Sequence, residues 1–84
     1  MNNEMKIKIL MEDGCTKREA EKYLERGVDI ITDFEENFDE YMKDWLISEE
    51  DIEDFKKMIE TQIPATDWGI VNLENKRYYI MYQN

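Results

Sequence analysis

Apolar positions recur at helical spacing up to Pro64 and at strand-like spacing beyond it. Met5, Ile7, Ile9, Leu10 and Met11 open the series. They fit a short helix stopped at Gly14, while the alternation of Met5, Ile7 and Ile9 with Lys6 and Lys8 also fits a strand; the helix is the reading taken. Thr16 and Glu19 then form a capping-box signal, in which the hydroxyl accepts from the backbone three residues on and the carboxylate reaches back. A helix over Lys17–Arg26 follows, with Ala20, Tyr23 and Leu24 as its apolar stripe and Gly27 as its stop.

Val28, Ile30 and Ile31 read as a short apolar connector. Thr32 with Glu35 repeats the capping-box signal and predicts a helix over 33–46 carrying Phe34, Phe38, Tyr41, Met42 and Trp45. At helical spacing these five fall within an arc of about 100°, the width of a core-facing stripe. Asp33, Glu36, Glu40 and Asp44 gather on the opposite side. Ser48 can cap a last helix, with Ile52, Phe55, Met58 and Ile59 buried and Pro64 ending the helical part of the chain.

Beyond Pro64, residues 68–73 and 76–82 are rich in aromatic and branched side chains and flank Glu74-Asn75, a two-residue turn. This predicts a β-hairpin. A lone hairpin is marginal in water, so it must pack on the helices or pair with a further strand, for which residues 5–11 are a candidate. Trp68, Ile70, Tyr78, Ile80 and Tyr82 are assigned to one face and Val71, Leu73, Tyr79 and Met81 to the other. Both faces are largely apolar. Either helices cover both, or helices cover one and a partner or second copy covers the other. The expected fold is α+β: three to four short helices followed by a C-terminal antiparallel β-hairpin.

Size supports one domain over residues 1–84, and an apolar content of 42% with 12% aromatics is enough to fold it. The uninterrupted apolar runs, among them 9–11 and 78–82, are far short of the ~20 residues of a membrane span. A single cysteine, Cys15, and no signal-peptide pattern suggest the cytoplasm.

Charge adds a direction to this picture. Residues 29–60 hold thirteen acids against Lys43, Lys56 and Lys57 and so carry the entire net charge of −10; both flanks are neutral. Such a surface attracts basic partners and repels nucleic acid. Lys17, Arg18, Lys22 and Arg26 on one helix invite a DNA-binding reading, but Glu19, Glu21 and Glu25 share that helix and the acidic block opposes the duplex. Histidine is absent, which removes the commonest general base and the usual metal motifs. No calcium-loop spacing and no glycine-rich phosphate loop occurs. No catalytic residue, metal or cofactor is expected.

Glu36 with Glu40, Glu40 with Asp44, and Glu49 with Glu53 are like-charge pairs four residues apart, each costing a few tenths of a kcal/mol. A solvated surface tuned only for stability would interleave lysines. Acids four apart on a helix stand about 6 Å from each other, comparable to neighbouring phosphates along a strand. The partner-binding candidates are therefore Asp33, Glu36, Asp39, Glu40 and Asp44, with Glu49, Glu50, Glu53 and Asp54 on the next helix.

In size, acidity and patterns such as Asp33-Phe34-Glu35-Glu36-Asn37-Phe38 and Thr66-Asp67-Trp68-Gly69, the chain resembles small uncharacterised proteins encoded by phages and prophages of gut Firmicutes. In composition it resembles the acidic anti-CRISPR proteins that occupy DNA-binding channels of Cas effectors. The first resemblance brings no catalytic residues. The second implies a non-enzymatic nucleic-acid mimic whose partner is a basic surface on a Cas nuclease or another nucleic-acid-binding protein. The alternative is an assembly module that forms a homodimer through the hairpin face of Val71, Leu73, Tyr79 and Met81, with the acids serving solubility.

Overall fold

The computed structural model describes residues 1–82. Helices α1 (Asn3–Glu12) and α2 (Lys17–Arg26) come first, then a short strand β1 (Asp29–Ile31), helices α3 (Phe38–Asp44) and α4 (Glu49–Thr61), and a hairpin of β2 (Trp68–Leu73) and β3 (Lys76–Met81). The α+β expectation holds.

Residues 5–11 are helical, and the strand that joins the hairpin is the stretch read as a connector. β1 pairs antiparallel with β3, Ile30 against Ile80 and Ile31 against Tyr79, which makes β3 the centre of a β1-β3-β2 sheet. Three residues are too few to display a period of two, so this strand leaves little trace in the sequence pattern.

Helix boundaries follow from local chemistry. The Thr16 hydroxyl accepts from the Glu19 amide at 3.1 Å while the Glu19 carboxylate accepts from the Thr16 amide at 2.9 Å, the reciprocal box the sequence predicts. After α3 the amides of Leu46 and Ile47 donate to the carbonyls of Lys43 and Met42, a Schellman closure that puts Leu46 at φ 54° in the position glycine usually holds.

The second capping box does not form. Glu35 is recruited instead by the sheet: it makes an ion pair with Arg77 and accepts from the Tyr79 hydroxyl at 2.8 Å. The predicted helix over 33–46 therefore shortens to α3. Its missing first turn is replaced by a single loop of chain in which the Asn37 amide donates to the Asp33 carbonyl at 3.0 Å.

The sheet lies between two helical layers. On one face Ile9, Leu10 and Ala20 from α1 and α2 pack with Val28, Val71, Tyr78 and Ile80. On the other Phe34, Met42 and Met58 pack with Ile31, Trp68 and Tyr79, and the partly buried Phe38, Tyr41, Trp45, Ile52 and Phe55 surround them. Phe34 is the hub of this second core, its ring 5.0 Å from Tyr79 and 5.2 Å from Trp68 between centroids.

The predicted division of the hairpin faces is wrong for a geometric reason. With Glu74 and Asn75 both at positive φ, the two-residue turn sets Leu73 opposite Lys76 and Val71 opposite Tyr78. Odd residues of β2 thus share a face with even residues of β3. Val71 and Leu73 lie on one side, Tyr79 and Met81 on the other, and helices cover both. Val71 is only 3% and Tyr79 only 1% exposed, while Leu73 and Met81 are half-buried. These four do not form a common exposed face.

Candidate functional site

The acidic candidates divide into two settings, one on each side of the α3–α4 junction. Along α3, the turn that replaces the lost helical start positions Asp33: its carboxylate accepts from the Tyr41 hydroxyl at 2.6 Å and from the Asn37 side chain at 3.0 Å. The carboxylate pushes the Tyr41 hydroxyl up to about 12, chiefly through that hydrogen bond, so the phenol remains a neutral donor.

Two shallow grooves adjoin here. One, of about 400 Å³, is lined by Asp33, Asn37, Glu40, Tyr41 and Asp44; the other, of about 290 Å³, by Glu35, Glu36, Asn37, Phe38, Asp39 and Glu40. Asn37 and Glu40 belong to both. Glu36, Asp39, Glu40 and Asp44 are exposed and, among the described residues, make no ion pair and no side-chain hydrogen bond. The apolar stripe of Phe34, Phe38, Tyr41, Met42 and Trp45 faces the core behind them, as the sequence predicts.

Helix α4 is different. Ser48 caps its start, accepting from the Asp51 amide at 3.3 Å and donating to the Asp51 carboxylate at 3.0 Å. Glu53 sits 3.6 Å from Lys56, and Asp54 lines a surface depression together with Lys57. Lys43 and Lys56 line the groove between the two helices alongside Asp39. Lysines thus interrupt the acidic block where α3 meets α4. Glu49 and Glu50 remain exposed in the first turn of α4, where the helix dipole favours them.

The sequence reading missed the polar contribution of Tyr41 and Asn37. Tyr41 belongs to the apolar stripe by position, yet its hydroxyl turns outward to Asp33. The spacing of Asp33, Asn37 and Tyr41, four residues apart each time, is the signal that could have found this contact.

Cys15 lies apart from the acids. Its thiol is 3.9 Å from the Tyr82 hydroxyl, which donates to Asp13, and burial pushes the thiol above its ordinary value. A thiol of this kind is a poor nucleophile at neutral pH. Among the described residues no group of histidine, cysteine and acid side chains is placed to hold a metal ion, and no helix is long and apolar enough to cross a membrane. What the α3 grooves can do chemically is bind cationic groups, guanidinium or ammonium, with carboxylates on more than one side.

Comparison with protein-family models, curated proteins and solved structures found no match.

Proposed function

We propose that this is a non-enzymatic binding protein that offers the acidic side of α3 to a basic nucleic-acid-binding surface of another protein, in place of a phosphate backbone. The observation that carries the reading is the run of exposed, unpaired carboxylates, Glu36, Glu40 and Asp44, around two adjoining grooves, beside a helix pair whose junction is supplied with lysines. Desolvated contact with arginine or lysine would turn the like-charge cost of that run into binding energy. Asp33, Asp39, Glu49, Glu50, Glu53 and Asp54 extend the contact. The partner is a protein and not nucleic acid, the compartment is the cytoplasm, and a phage-encoded inhibitor of a Cas nuclease is the biological form the reading takes.

The test is competition with duplex DNA for a Cas nuclease or another basic DNA-binding protein, measured across a salt series. The expected result is competition that weakens steeply with added salt and is lost when Glu36, Glu40 and Asp44 are all changed to Lys. Competition unchanged in the folded triple variant would refute the proposal.

A further inference from the structure

The sheet has two edges, and only one is protected. β1 is three residues long, with the exposed Asp29 at its start; short length and charge are the usual ways of keeping an edge from pairing. β2 has six residues, Trp68–Leu73, none charged and none proline, in an unbroken register with β3 that contains no bulge.

The direction of its free backbone groups follows from one bond. The Tyr82 amide donates to the Asp67 carbonyl at 3.1 Å, so in the antiparallel ladder residues 67, 69, 71 and 73 turn their backbone groups toward β3. Residues 68, 70 and 72 turn theirs outward. The Trp68 amide is used by the Ala65 carbonyl at 3.1 Å, whereas the Ile70 and Asn72 amides and carbonyls have no partner among the described residues. Ile70 is half-buried and Asn72 exposed. A pair of donors and a pair of acceptors two residues apart is the pattern that an added antiparallel strand satisfies.

We infer that this edge pairs with the same edge of a second copy, giving a two-fold dimer with one continuous six-stranded sheet. Charge selects the occupant. A basic segment would find no carboxylate within residues 68–73, and the chain from Thr61 onward is neutral, so two copies meeting here bring uncharged strands together although each molecule carries −10. Geometry selects the register. With Val71 opposite Val71 on the two-fold axis, Ile70 of each copy faces Asn72 of the other, and all four free amides are satisfied. This inference is independent of the acidic grooves on α3.

Mass in solution, measured from micromolar to millimolar concentration, tests it on the full chain. The wild type should pass from one chain mass to twice that mass, and the Ile70 and Asn72 amides should gain hydrogen-exchange protection over the same range. Added salt should strengthen the dimer by screening the two net charges, the opposite of its effect on a basic partner. Asn72→Lys, at an exposed position, and Asn72→Pro, which removes an amide that β3 does not use, should each remain at one chain mass while circular dichroism shows them folded. A wild type that stays at one chain mass throughout overturns the inference, as does a dimer that survives both substitutions.

Discussion

Any side chain at Gly69 would collide with Asp13. A Cβ placed there lies 2.9 Å from the Asp13 Cγ and closer still to its Oδ2, and that carboxylate accepts from the Tyr82 hydroxyl. The glycine therefore acts inside a strand, as the space through which the end of α1 reaches the end of β3. Gly69→Ala should cost about 1–3 kcal/mol in urea unfolding through this overpacking. In an Asp13→Ala background the cost should largely vanish, because the obstructing group is gone; a double-mutant cycle measures the difference. Tyr41 gives a second single-residue prediction. Its hydroxyl titrates at about 12 in the folded protein against an ordinary 10.0, so between these values the native state keeps a proton that the unfolded chain has released. The stability from this contact is complete below pH 10 and is lost as pH rises toward 12. Burial, reinforced by Glu35 and Asp13 respectively, pushes Tyr79 and Tyr82 the same way, which adds to the alkaline loss. Ultraviolet titration of the phenols should show Asp33→Asn returning Tyr41 toward its ordinary value while leaving Tyr79 and Tyr82 high.

Two capping boxes with the same sequence signature reach different outcomes, which makes them a test of context at the scale of an element. Thr16→Ala should cost about 1 kcal/mol, the usual worth of a formed N-cap. Thr32→Ala should change stability by less than about 0.5 kcal/mol, because among the described residues the Thr32 side chain makes no hydrogen bond. Thermal unfolding of both variants under one condition checks the contrast. The same comparison explains what was legible in the sequence. Elements decided by neighbours in the chain were readable: α2 by its box and Gly27, α4 by Ser48, and the hairpin by Glu74-Asn75. Elements decided across the sheet were not. Helix α3 loses its start because Arg77 and Tyr79, more than forty residues away, compete for Glu35. β1 is a strand because β3 offers it a ladder. At the candidate site, helical spacing alone set Glu40 and Asp44 opposite Phe38, Tyr41 and Met42, whereas Asp33, Phe34 and Glu36 precede α3 and take their places from the turn before it. The lysines that divide α3 from α4 were visible in the sequence as residues, but their common groove depends on how the helices cross.

At the scale of the whole molecule, the question is whether the acids of α3 act as a local surface or dissolve into an average field. The protein measures 36 × 27 × 20 Å, and each dimension exceeds the screening length of about 8 Å at physiological ionic strength. The bases of α2, on the far side of the sheet, therefore cannot neutralise α3. Its nearest cations set the balance, and Glu40 and Asp44 line one groove with no ion pair among the described residues. Asp44→Lys tests this directly. It converts the Glu40–Asp44 repulsion into an attraction and puts a cation in the last turn of α3, where the helix dipole favours one, and should raise stability by roughly 0.5–1 kcal/mol at low salt, an increment that fades as salt is added. The same substitution should weaken binding to a basic partner about tenfold or more, since it places a cation where that groove receives one. A variant that is more stable yet binds less separates function from folding, because lost binding cannot then come from unfolding. If thermal unfolding instead shows Asp44→Lys to be less stable at low salt, the α3 carboxylates are not in mutual repulsion, and the energetic argument for a partner that relieves it falls.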